Sequence, residues 1–145
     1  MDKHEFDDFF RKNHFIFENG KIRPAKDLLE FSEWFSKPGS RRVDLTEIND
    51  DVRVSTVFLG INHNFSFDED NPPVLFETMV FGGEYSDRGW RYTSYGQAKR
   101  GHWEIVDCIK AGKPPQLSFG HRPSIELFFE MFEEEKKEPE NDDDA

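Results

Sequence analysis

The sequence predicts an α+β fold, an antiparallel sheet covered on one face by helices in two layers. Three observations predict it. Residues 52–60 (VRVSTVFLG) and 74–81 (VLFETMVF) are dense runs of β-branched and aromatic residues, separated by a polar stretch rich in Asp, Asn and Pro. That is the pattern of a long-looped hairpin at the centre of a sheet. Helix-spaced apolar residues lie before and after these runs, and turn-linked strands pair antiparallel, so the helices gather on one face.

The elements follow in order. Residues 5–12 form a short helix with Phe6, Phe9 and Phe10 on one face. The run HFIFENGKIRP is a tight hairpin: Asn19-Gly20 suits a type I′ turn, whose two central residues need positive φ. Phe15 and Phe17 share one face of its first strand, and Pro24 ends the second. Over residues 25–36 the spacing is helical, with Leu28, Phe31 and Phe35 as the inner stripe and Leu29 and Trp34 widening it. Lys37-Pro38-Gly39 stops that helix. Residues 41–48 alternate, with Val43, Leu45 and Glu47 on one face, and Asn49-Asp50-Asp51 is a turn.

The two central strands come next, then a polar loop after Gly82-Gly83 and a short strand over residues 90–93. Ser94 and Gln97 fit a capping box for a helix reaching Lys110, with Ala98, His102, Ile105, Val106 and Ile109 inward. Gly112 and Pro114-Pro115 end it. Ile125, Phe128, Phe129 and Phe132 mark a final amphipathic helix over residues 124–136. The organisation expected is a core domain over 1–112, a Pro-rich linker with that helix over 113–136, and a disordered acidic tail over 137–145.

Composition narrows the function classes. Apolar content is 35% and charged content 34%, so the core leans on 16 Phe, whose rings bury roughly 150–250 Å² each. The net charge is −11, but residues 126–145 hold ten acidic residues against two lysines (−8), which leaves −3 for the rest. Arg41-Arg42, Arg88 with Arg91, and Lys99-Arg100 are short basic clusters, so direct nucleic-acid binding is disfavoured. Cys108 alone makes no internal disulfide and no cysteine-based zinc site. No apolar run approaches the ~20 residues that cross a bilayer, and MDKHEFDDFF is no signal peptide. A cytoplasmic protein without membrane contact is expected.

Few residues suggest chemistry. Glu77 alternates with Leu75 and Met79 on one strand face. A carboxylate there is costly unless paired, and burial would raise its pKa toward that of a general acid. The plainer reading pairs it with Arg53 or Arg91 on a neighbouring strand. Ser55 and Thr56 lie on opposite faces, so at most one points into any shared pocket, and neither shows a base or a nucleophile elbow.

Asn62-His63-Asn64 sits where the strand leaves the sheet, a common place for ligand contacts and equally for an Asx turn. A metal triad of His63, Glu77 and His102 lacks any local spacing motif, and His102 reads as a hydrogen-bonded core histidine. Trp90, Tyr92 and Tyr95 near Arg88 and Arg91 can stack a planar ligand, or else are core rings beside surface arginines. The possible ligand contacts are therefore Ser55, Thr56, Asn62, His63, Glu77, Arg91 and Tyr92. No catalytic residue, metal ligand or cofactor is assigned.

The pattern VSTVFLG, His63, Phe65, Pro73, LFETMVFGG, Arg91-Tyr92 and Gly101-His102 resembles a group of small proteins of bacteriophages and prophages over roughly residues 19–110. The loop 65–72 is longer and more acidic than in that group, and the N-terminal helix and the region after Pro114 are additions. The resemblance implies a phage-borne accessory protein working in the bacterial host cytoplasm. The expected function is non-catalytic binding of a host or phage macromolecule, with an unknown protein as partner. Two alternatives stay open: a small-molecule site, sequestering or enzymatic, around Glu77 and His63; and an acidic nucleic-acid mimic that inhibits a DNA-binding host factor.

Overall fold

The computed structural model describes residues 1–64 and 71–123. The expected helix over 124–136 and acidic tail over 137–145 lie outside the described residues. Helix α1 (Lys3–Asn13) leads into a hairpin of β1 (Phe15–Glu18) and β2 (Lys21–Pro24), then α2 (Leu28–Phe35). Strands β3 (Arg42–Glu47), β4 (Arg53–Phe58), β5 (Phe76–Phe81) and β6 (Gly89–Tyr92) follow, then α3 (Tyr95–Lys110) and a two-residue β7 (Arg122–Pro123). The main sheet has the order β3-β4-β5-β6-β7, every neighbour antiparallel. The fold is α+β, as the strand block and flanking helices predict.

The hairpin turn forms as its sequence requires, with Asn19 at φ 53° and Gly20 at φ 76°. Register then divides the main sheet into two faces. One carries Val54, Thr56 and Phe58 of β4 opposite Val80, Thr78 and Phe76 of β5, with Trp90 and Tyr92 of β6 beyond. Helix α3 lies on this face through Ala98, Gly101, His102, Ile105 and Val106. The hairpin and α2 cover its other end: the rings of Phe17 and Trp34 pack 5.3 and 5.6 Å from that of Phe58. The opposite face carries Leu45, Ser55, Val57, Glu77, Met79 and Arg91.

Several local expectations are corrected. On α2 the inner residues are Phe31 and Trp34, whereas Leu28 and Leu29 are exposed. Asp27 caps the helix by accepting from the Glu30 amide, so Leu28 and Leu29 are its first two residues and precede the buried Phe31 and Trp34. On α1 only Phe10 of the three Phe residues is buried. A register shift between Arg42 and Asp44 takes Val43 out of the alternation with Leu45. At α3, Ser94 Oγ does accept from the Gln97 amide, but Gln97 reaches past the cap to the Thr93 amide and hydroxyl. The full capping box belongs to α1, between Asp2 and Glu5. Strand β7 had no signal in its two residues.

Gly101 shows how closely α3 sits on the sheet. A Cβ there would fall 2.6 Å from Cε1 and Cζ of Tyr92. Gly101→Ala should therefore destabilise by about 1–3 kcal/mol in a urea titration, although Ala is the better helix former. At Gly96 nothing lies within 4 Å of a Cβ. There the same change should stabilise by up to about 1 kcal/mol.

Candidate functional site

The sheet separates the polar strand residues into two constellations. On the helix-covered face, five side chains form one hydrogen-bonded line. Tyr92 donates to Thr78 Oγ1 at 2.9 Å, Thr78 and Thr56 hydroxyls are 2.6 Å apart, and Thr56 lies 2.8 Å from His102 Nδ1. The other ring nitrogen, Nε2, is 2.8 Å from Thr46 Oγ1. Backbone geometry brings them together: Thr56 and Thr78 are register partners on adjacent strands, and α3 lowers His102 onto the pair. One direction of protons satisfies each bond. Tyr92 donates to Thr78, Thr78 to Thr56, Thr56 to Nδ1, and Nε2–H to Thr46. This requires a neutral imidazole.

The electrostatics agree with that state. Burial pushes the His102 pKa below its ordinary value, the Asp44 carboxylate works against that shift, and the Lys99 ammonium adds to it. Asp44 and Lys99 are themselves paired at 2.9 Å. Burial also holds the Tyr92 phenol protonated, far above its ordinary range. The unfolded chain thus takes up a proton at His102 before the native state does. The contribution of this residue is complete above pH about 6.5 and is lost as pH falls toward the native-state pKa. Between pH 6.5 and 5, above the carboxylate range, stability should fall by up to about 1.4 kcal/mol per pH unit. Urea midpoints across that interval check it, and the dependence should flatten in His102→Gln.

On the opposite face Glu77 and Arg91 are direct cross-strand partners. Arg91 Nε donates to Glu77 Oε2 at 2.7 Å, and the residues are only 5% and 9% exposed. Of the two cations that the sequence offered as partners, Arg91 is the one engaged; Arg53 lies over the Phe81 ring instead, 5.2 Å from its centroid. A buried carboxylate is thus matched by a buried guanidinium, in the charge-assisted form that makes such burial tolerable.

The residues proposed as ligand contacts are not brought to one place. Ser55, Glu77 and Arg91 share the face without described helices, Thr56 and Tyr92 lie beneath α3, and Asn62 and His63 stand beyond the end of β4. Asn62 Oδ1 accepts from the amides of Asn64 and Val74, and His63 Nδ1 lies 2.7 Å from the carbonyl of Ile61. These are turn-forming contacts. The sheet lies between Glu77 and His102, so the three-residue metal triad does not assemble, and no metal-binding group exists among the described residues. Trp90 and Tyr92 are core rings; Arg88 sits over Tyr85 at 5.2 Å.

Two shallow depressions, of about 350 and 210 Å³, lie near the 49–51 turn and Gly82, and Glu77, His63 and Arg91 line neither. Of the missed partners, Thr78 carried a readable signal. Thr78 stands in mid-run between Phe76 and Val80, just as Thr56 does between Val54 and Phe58. Polar residues at the middle of two apolar stripes are expected to find each other.

Comparison with family models, curated proteins and solved structures returns no match. No described helix is long and apolar enough to cross a membrane.

Proposed function

We propose that the protein acts by binding a macromolecular partner without catalysis, as an accessory protein of bacteriophage type. The observation that supports this is the distribution of exposed apolar side chains. Of ten large apolar residues exposed in the described structure, six lie in the first 29 residues: Met1, Phe6, Phe9, Ile22, Leu28 and Leu29. Phe9 and Leu29 are 56% and 68% exposed. Scattered apolar residues are ordinary on a surface, but four of these six stand on two helices, Phe6 and Phe9 on α1 and Leu28 and Leu29 on α2, and such a concentration supports an interaction surface. The two helices meet on their buried sides through Phe10 and Phe31, whose rings pack edge to face at 5.9 Å. The polar strand residues, by contrast, are engaged with one another.

The test uses the full chain as bait in bacterial lysate beside Phe9→Ser with Leu29→Ser. Both positions are exposed, so each change should alter stability by no more than about 0.5 kcal/mol. A specific protein held by the native chain should bind the variant at least roughly tenfold more weakly, the effect of losing a central apolar anchor. Equal capture by both chains, or no specific capture, would count against this reading.

A further inference from the structure

We propose that two copies of this chain join edge to edge through β3 and make one continuous antiparallel sheet. This contact is separate from the exposed apolar side chains of α1 and α2, and either can exist without the other. Strand β3 is the last strand of its sheet and pairs with β4 alone. In an antiparallel pair, alternate residues turn both backbone groups to the neighbour, and the residues between turn theirs away. The Ile48 amide donates to the Val52 carbonyl at 2.9 Å, so Thr46 and Asp44 also turn toward β4, and Leu45 and Glu47 point off the edge. No other strand pairs with them among the described residues. Such a row of backbone groups is a template for a further strand.

Edges are commonly blunted by charges and by bulges, and β3 has both. Their placement, however, matches this edge to a reversed copy of itself. Arg42, Leu45 and Glu47 stand opposite Val57, Ser55 and Arg53 of β4. Those three partners are spaced by two, so Arg42, Leu45 and Glu47 share one sheet face, with Arg42 and Glu47 at equal steps on either side of Leu45. The register shift between Arg42 and Asp44 creates this symmetry. Without it, Arg42 would fall on the other face, because it is three residues from Leu45.

A two-fold axis through the edge at Leu45, perpendicular to the sheet, therefore sets Leu45 against Leu45 of the second copy. Each Arg42 then meets Glu47 of the other chain, on the same face. The outward amide and carbonyl of Leu45 bond their counterparts. All three side chains are exposed, Leu45 at 38%. Among the described residues neither Arg42 nor Glu47 takes part in an ion pair, so both charges are available. An unrelated strand would meet the same charges without the matching order, which selects a second copy as the occupant. Six residues from each chain are few against the roughly 20–30 a side of a standard interface, so the dimer is a reversible one.

The test is sedimentation of the full chain between about 1 μM and 1 mM, the range in which weak association is read. The mass should rise toward twice the 17.1 kDa of one chain. Glu47→Arg and Arg42→Glu each set like charges opposite one another twice per dimer, and each should weaken self-association at least roughly tenfold. Mixed in equal amounts, these two variant chains should bind each other more tightly than either binds itself. The chain carrying both changes restores the match and should dimerise again. As a check on register, Leu45→Cys in a Cys108→Ser chain should oxidise to a disulfide-linked dimer, whereas Ile61→Cys, exposed at 41%, should not.

A monomer over the whole concentration range would overturn the proposal. So would a dimer indifferent to the single charge reversals, or one that the double reversal fails to restore, since either places the contact elsewhere. Equal oxidation at positions 45 and 61 would overturn it as well, and that readout leaves both charges as they are.

Discussion

Glu77→Gln should lower stability by about 3–5 kcal/mol, the usual consequence of leaving one member of a buried ion pair without its counter-charge. In a chain of 145 residues that corresponds to a fall in Tm of roughly 10 °C. The magnitude follows from geometry. Both side chains are nearly excluded from water, at 11% and 6% exposure, and they meet at 2.7 Å across two paired strands. An exposed pair of the same length would be worth at most about 1 kcal/mol. Urea unfolding followed by tryptophan fluorescence measures the change. A loss under about 1 kcal/mol would mean that the carboxylate is not committed to Arg91, and would return it to the list of ligand contacts.

His102→Leu is the second large effect. Leucine fills most of the ring's volume, so cavity formation is small, but the Thr56 hydroxyl, still bonded to Thr78, loses the acceptor of its proton, and half-buried Thr46 loses its donor. Orphaning buried polar groups costs about 1–3 kcal/mol each, and a total loss of about 2–4 kcal/mol is expected. The companion change Thr56→Val should recover part of that loss, because removing both partners of a buried hydrogen bond is far milder than removing one. Additive losses in the double variant would show that the line of hydroxyls is not energetically connected.

The architecture was legible because the local signals agree with one another. The Asn19-Gly20 turn, the two β-branched runs and the helical spacing on both sides each point to the same arrangement. What was not legible depends on pairing across the sheet. The register shift next to Val43 leaves no trace in the strand's own sequence, and so the faces of β3 were misjudged. The stripe on α2 was misplaced because Leu28 and Leu29 follow the cap at Asp27 directly, in a first turn that stands exposed, while Phe31 and Trp34 carry the burial.

At the candidate site the same division holds. The ion pair of Glu77 was readable as one of two options, since a carboxylate in an apolar strand requires a cation within reach. Which arginine it meets is a matter of register, and register places Arg91 opposite and Arg53 beside Phe81. His102 was readable as a core histidine from its place in the α3 stripe. Its partners were not, because Thr46 and Thr56 lie 56 and 46 residues away in sequence.

The central claim is that the polar residues within these strands serve one another and not a ligand. A double-mutant cycle on Glu77→Leu and Arg91→Leu tests it most directly. The account predicts that each single change is strongly destabilising, that the double variant is at least as stable as either, and that the coupling is about 2 kcal/mol or more. Losses that simply add, with coupling near zero, would contradict it.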